Sequence, residues 1–218
     1  MKVIILGGFL GSGKTTVLLQ FARYLTEVSL KGSADGGSEP VRPGRAPVVI
    51  LENEISEAGV DNRLLSQANF TVETIFSGCI CCTSSAQLSE SVRQIRERYD
   101  PAWLLIEATG MACPDDVRKN IIELTDIDTH ILALADAKRW MRVVRAMPVF
   151  VKSQLADADV ILVNKIDLVD QEALDAVTAN VREFNDSALL CQISAAERQP
   201  DAFWEQVTDA LLSGKKEA

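Results

Sequence analysis

The sequence predicts an α/β fold with a mostly parallel central sheet of about seven strands flanked by helices. Three observations carry that expectation. Short apolar runs recur along the chain, several of them are almost continuously apolar, and stretches with helical spacing lie between them. Strands buried on both faces lose the in/out alternation of a half-exposed sheet, and strand–helix alternation is the pattern of parallel crossovers rather than of hairpins.

Taken in order, the expected strands are Val3–Leu6, Val48–Leu51, Val72–Phe76, Trp103–Ile106, Ile131–Ala135, Val160–Val163 and Leu189–Ile193. Helical spacing runs through Val17, Leu18, Phe21, Leu25 and Val28, again through Leu88, Val92 and Ile95, and over 170–185 and 201–212. Segment 32–47 holds four glycines and three prolines among Ser, Asp and Arg, and is expected to be a flexible loop inserted at about 32–47. Residues 1–213 are read as a single domain, with 214–218 as a disordered tail. At 218 residues and 47% hydrophobic, the chain is long enough for one sizeable core.

Charge and cysteine usage exclude several functions. With 22 Lys and Arg against 31 Asp and Glu, the net charge is −9, which argues against nucleic acid or a membrane as a partner. The run 3–10 is too short to span a bilayer and has no cleavage-site pattern after it, so a cytoplasmic chain is expected. Five cysteines, three of them in Cys79-Ile80-Cys81-Cys82, suit a thiolate metal site better than a disulfide framework. With His130 as the one histidine, a transition-metal site must lean on thiolates and carboxylates.

Gly8-Phe9-Leu10-Gly11-Ser12-Gly13-Lys14-Thr15 fits GxxxxGK[ST] between a strand and a helix, the context of a phosphate-binding loop (P-loop), which places the fold among the P-loop NTPases. Glycines let successive N–H groups turn toward phosphate oxygens, Lys14 reaches the β and γ oxygens, and Thr15 is placed for Mg²⁺. Glu107, ending an apolar strand, is the expected acidic partner of that magnesium, through a bound water. Gly110 leaves room for backbone to approach the γ-phosphate. Asn164-Lys165-Ile166-Asp167 favours GTP over ATP, because a carboxylate accepts from the N1 and N2 donors of guanine and finds none at adenine N1. Lys165 is expected over the base or bracing the phosphate loop through its stem, with Ser194 and Ala195 offering an amide to guanine O6. Cys79, Cys81 and Cys82 follow a strand at the sheet's ligand-binding edge and leave a fourth position open on a tetrahedral ion. Buried free thiols are the competing reading.

These residues resemble the CobW-type metallochaperone family of GTPases, relatives of the nickel-insertion GTPases for urease and hydrogenase. The resemblance rests on 8–16, Asn53-Glu54-Ile55-Ser56-Glu57-Ala58-Gly59-Val60-Asp61, 78–82, 107–110 and 164–167. It implies a protein that binds GTP and GDP with Mg²⁺, hydrolyses GTP slowly, loads Zn²⁺ or Co²⁺ on Cys79, Cys81 and Cys82, and releases the ion to a metalloenzyme client. Glu54 or Glu57 is implied as a further ligand. Glu54 and Asp61 join Lys14 and Glu107 as catalytic candidates, Asp61 serving the magnesium shell or the attacking water, and Thr16 completes the phosphate loop. A nucleotide-dependent homodimer is expected.

Family members commonly carry a separate C-terminal domain, so its functions are not carried over. Cys113 stands where the family usually has Asp, as a further metal ligand or a packed thiol. A cationic stretch, Lys138, Arg139, Arg142, Arg145 and Lys152 with apolar residues interleaved, reads as a helix with a core stripe and a solvated face, on which an acidic client can dock. Two other classes fit fewer residues: a GTPase reactivator of a metal- or corrinoid-dependent enzyme without metal transfer, and an ATP-dependent small-molecule kinase, which Asn164–Asp167 opposes.

Overall fold

The computed structural model describes residues 1–34, 46–52, 71–74 and 85–213. Seven strands form one sheet: β1 (Lys2–Gly8), β2 (Val48–Glu52), β3 (Thr71–Thr74), β4 (Trp103–Glu107), β5 (Thr129–Asp136), β6 (Val160–Asn164) and β7 (Leu189–Ile193). Their order is β3-β2-β4-β1-β5-β6-β7, and every pair is parallel. Among the described residues seven helices accompany them: α1 (Lys14–Ala34), α2 (Ser85–Tyr99), α3 (Pro114–Thr125), α4 (Trp140–Ala146), α5 (Pro148–Leu155), α6 (Gln171–Phe184) and α7 (Asp201–Ser213).

Alternation along the central strand divides the core in two. Val3 and Ile5 of β1 face a layer built from Leu88, Val92 and Ile95 of α2, Val117 and Ile121 of α3, and Leu174 and Val177 of α6. Ile4 and Leu6 face the other layer, made by α1 and α7, where Phe21 stacks on Trp204 with ring centroids 5.1 Å apart. Each such buried side chain contributes about 1.5–3 kcal/mol of transfer free energy.

Two local features depart from the expectations. Helix α1 continues to Ala34, into the segment read as a loop, and Val28 is 45% exposed, because α1 has by then run past the sheet it covers. The cationic stretch is two helices, since Pro148 supplies no N–H and drives Met147 out of the helical region (φ −144°, ψ 57°). The strand expected at 72–76 is present as β3, and its residues 75–76 lie outside the described residues. Among the described residues, no helix is long and apolar enough to cross a membrane.

Candidate functional site

β1 lies between β4 and β5, so the chain turns to opposite sides of the sheet from its first strand. Ligands of open α/β sheets bind in the crevice at such a point. The P-loop sits there. Gly8, Gly11 and Gly13 have φ of 133°, 70° and 99°, values side-chain-bearing residues rarely adopt. A Cβ on Gly13 would lie 2.4 Å from the Asn164 side-chain nitrogen, so that glycine also makes room for β6.

The outer side of the loop carries carbonyls that accept from side chains, and only the Ser12 carbonyl does so in a buried hydrogen bond. The three are consecutive, and their donors are three side chains beyond β5 and β6. The Leu10 carbonyl accepts from Arg139 Nη2 at 2.6 Å, the Gly11 carbonyl from Lys165 Nζ at 2.6 Å, and the Ser12 carbonyl from Asn164 Nδ2 at 2.8 Å. Asn164 Oδ1 in turn accepts from the amides of Lys165 (2.8 Å) and Ala195 (2.9 Å). The motif Asn164–Lys165 is therefore a clamp on the phosphate loop. Lys165, in the left-handed region at φ 66°, braces the loop with its ammonium rather than its stem. The Ala195 amide expected to face guanine O6 is spent on Asn164. Asp167 is exposed in the short 3₁₀ turn Ile166–Leu168 beyond the clamp.

Asp136 completes this arrangement and was not legible beforehand. It ends β5 in register with Asn164 of β6, is 5% exposed, and accepts from Arg139 Nε at 2.7 Å and Lys165 Nζ at 2.8 Å. Burial opposes its charge, but the hydrogen bonds from Lys165 and Arg139 prevail and hold its carboxyl below the ordinary aspartate value. A carboxylate directly after the apolar run Ile131–Ala135 was the available signal.

On the other side of β1, Thr15 Oγ1 donates to Glu107 Oε1 at 3.0 Å, bringing together the two residues predicted for magnesium. Lys14 is buried in the first turn of α1, where Thr16 is exposed. A Cβ on Gly110 would lie 2.7 Å from Leu10 N and 2.9 Å from Leu10 Cα, so the close approach this glycine permits is that of the P-loop backbone itself. Ser12 Oγ is fully buried with no hydrogen-bond partner among the described residues.

The family model described as CobW/HypB/UreG, nucleotide-binding domain, matches residues 2–192. The chain belongs to this family. Among its relatives, the zinc chaperone YjiA of Escherichia coli is 27% identical over 181 residues, covering 78% of this chain and 51% of that protein. Zinc-regulated GTPase metalloprotein activator 1 of Dictyostelium discoideum is 24% identical over 232 residues, covering 87% and 45%. The chain thus spans about half the length of these curated relatives. The crystal structure of the hydrogenase maturation factor HypB from Archaeoglobus fulgidus superposes with a TM-score of 0.66 at 17% identity, covering 97% of this chain and 90% of that one, a likeness of fold.

Within this CobW/HypB/UreG domain, Glu54, Glu57, Asp61, Cys79, Cys81 and Cys82 lie outside the described residues. Cys113, at the start of α3, donates its thiol to the Ser153 carbonyl at 3.5 Å, and burial pushes that thiol up in pKa, away from the thiolate a metal needs. His130 sits near the opposite, N-terminal end of β5, with Nε2 3.1 Å from Asp128 Oδ2. Among the described residues no cluster of three His, Cys, Asp or Glu stands ready for a metal ion.

Proposed function

We propose that this chain is the GTP-binding, GTP-hydrolysing domain of a metallochaperone that carries Zn²⁺ on its cysteine loop and yields it to a metalloprotein client when GTP is cleaved. The observation that carries the nucleotide half is the Thr15–Glu107 contact beside a P-loop three of whose carbonyls accept from Asn164, Lys165 and Arg139. A loop braced from outside holds its backbone in place without a ligand, which is the preorganisation that phosphate binding needs.

In this reading Gly8, Gly11, Ser12 and Gly13 line the phosphate cradle, and a phosphate oxygen satisfies the orphaned Ser12 hydroxyl. Lys14 meets the β and γ oxygens, with Thr16 beside it. The hydroxyl of Thr15 and carboxylate of Glu107 are the hard oxygen donors that suit Mg²⁺; they would hold it directly or through water. When bound, that ion neutralises charge on the β and γ oxygens. Asp167 reads guanine N1 and N2, Ser194 borders the base, Ala195 supports Asn164 through its amide, and Gly110 seats the loop.

The names of the curated relatives favour zinc over cobalt as cargo. Glu52 of β2 is in register with both Glu107 of β4 and Thr74 of β3, so both strands leave the sheet at the edge that carries the P-loop. Chain connectivity keeps Cys79 within about 18 Å of Thr74. Asn53–Asp61, with Glu54 or Glu57 as added ligand and Asp61 on the magnesium shell or the water, follows β2 directly. A cytoplasmic chain that pairs into nucleotide-dependent dimers completes the reading.

The test is to quantify metal and nucleotide together in freshly purified protein, wild type against a Cys79→Ser/Cys81→Ser/Cys82→Ser variant. Bound zinc is expected to be lost in the variant while GDP is kept. A non-hydrolysable GTP analogue should tighten zinc binding relative to GDP, and zinc should tighten the analogue by the same factor. Full metal retention by the variant, or equal zinc affinity in both nucleotide states, sinks the proposal.

A further inference from the structure

Helices α4 and α5 carry two features that nucleotide and metal chemistry leave unused. Between Lys138 and Lys152 the chain has five cations and no acid, although its net charge is −9. Arg139 is committed to Asp136 and the P-loop. Lys138, Arg142, Arg145 and Lys152 are exposed and have no acidic partner among the described residues. Beside them Met141 and Val149 face solvent, 37% and 82% exposed.

The second feature is a small hollow of about 20 Å³, open on one side, between α4, α5, β5 and the P-loop. Phe9, Leu134, Trp140, Val143 and Phe150 give it apolar walls, and Phe9 meets Phe150 edge-on with centroids 5.9 Å apart. Gln154 also lines it. That side chain accepts from the Gly8 amide at 2.9 Å through Oε1 and donates to the Ala112 carbonyl through Nε2, so the pocket wall is tied to the first residue of the P-loop and to the chain just after Gly110.

We propose that the α4–α5 corner docks an acidic segment of a partner protein, one apolar side chain of which packs over the hollow with only its tip inside while its carboxylates face Arg142 and Arg145. Charge complementarity selects this occupant. The patch attracts acids over about one Debye length, while at longer range the chain's negative charge repels extended polyanions such as nucleic acid and anionic bilayers. A phosphate backbone would also leave the apolar pocket unused. Exposed ion pairs contribute mainly selectivity and association rate, and a buried apolar anchor contributes the affinity. Because Phe9 and Gln154 belong to the pocket, an occupant that shifts them shifts the phosphate loop. This coupling rests on the nucleotide reading above; the docking does not.

The experiment is selection of a displayed random-peptide library on the full chain, with counter-selection on Arg142→Glu/Arg145→Glu. Recovered peptides are expected to be rich in Glu and Asp around Leu, Ile or Phe. A synthetic consensus peptide should bind wild type at least tenfold more tightly than the charge-reversed chain, with Arg142→Gln/Arg145→Gln in between. Added salt should weaken that binding, and replacing the apolar anchor by Ser should abolish it. Matching melting curves establish that the variants fold, and the Gln variant serves alone if the Glu variant does not. The proposal is overturned by an absence of acidic enrichment, by equal binding to wild type and variants, by stronger retention of duplex DNA or phosphatidylglycerol vesicles at this corner, or by a homodimer that the charge reversal dissociates. If the peptide binds without changing GDP affinity, the coupling fails; if GDP itself does not bind, the nucleotide reading fails, and peptide binding still decides the docking.

Discussion

Asp136 Oδ2 lies 2.8 Å from Lys165 Nζ, and the same ammonium donates to the Gly11 carbonyl at 2.6 Å. One buried carboxylate thereby presses two cations, Lys165 and Arg139, against two adjacent carbonyls of the phosphate loop. The β5–β6 pairing that aligns Asp136 with Asn164 is what brings these donors to the outer side of the P-loop.

Replacing Asp136 by Asn should cost about 1–3 kcal/mol, read as a lower urea midpoint with an unchanged slope. The upper end is limited because Lys165 and Arg139 both reach solvent, at 30% and 36% exposure, which screens what they lose. The sign with pH follows from the direction of the shift. A carboxyl held below its ordinary value of 3.8 stabilises the fold fully above that value, and the contribution disappears as pH falls through the folded value. The stability gap between wild type and Asp136→Asn should therefore be constant at neutral pH and close below about pH 4. A gap that widens on acidification would refute the assignment.

Gly110→Ala places a methyl group against backbone, 2.7 Å from Leu10 N, and no flexible side chain is there to yield. Either the P-loop or the start of the β4–α3 connection must shift, at a cost of about 1–3 kcal/mol. Because the displaced atoms belong to the phosphate cradle, fluorescent-GDP affinity should fall at least tenfold, more than the melting temperature alone would suggest. Unchanged affinity would show that the contact does not position the loop.

Strand positions were readable because parallel strands buried on both faces are written as continuous apolar runs: Leu189–Ile193 agrees at both ends, and Val48–Glu52 differs from its expected range by one residue. The P-loop and Asn164–Lys165 were readable because their spacing carries their chemistry. What escaped depends on tertiary neighbours. Asp136 and Arg139 acquire their role only when β5 pairs with β6. The Ala195 amide is diverted by Asn164, a contact between residues 31 positions apart. The exposure of Val28 follows from how far α1 overhangs the sheet, which helical periodicity does not encode. At Gly110 the neighbour that excludes a side chain is the Leu10 backbone, a contact between loops that spacing along the chain does not encode.

Glu107→Gln separates the structural use of this residue from its proposed use on magnesium. The amide keeps an Oε1 of nearly the same shape, so the Thr15 hydroxyl still finds its acceptor and the melting temperature should stay within the range of a surface change. The negative charge is gone, and with it the attraction for a hard divalent cation. GTP hydrolysis should fall by about 10²–10³ at low Mg²⁺, the size typical of losing one electrostatic stabiliser, with partial recovery as Mg²⁺ is raised. GDP binding measured with EDTA present should not change. Full hydrolysis by the variant at low Mg²⁺ would remove Glu107 from the magnesium site and would move the metal ligand elsewhere on this edge of the sheet.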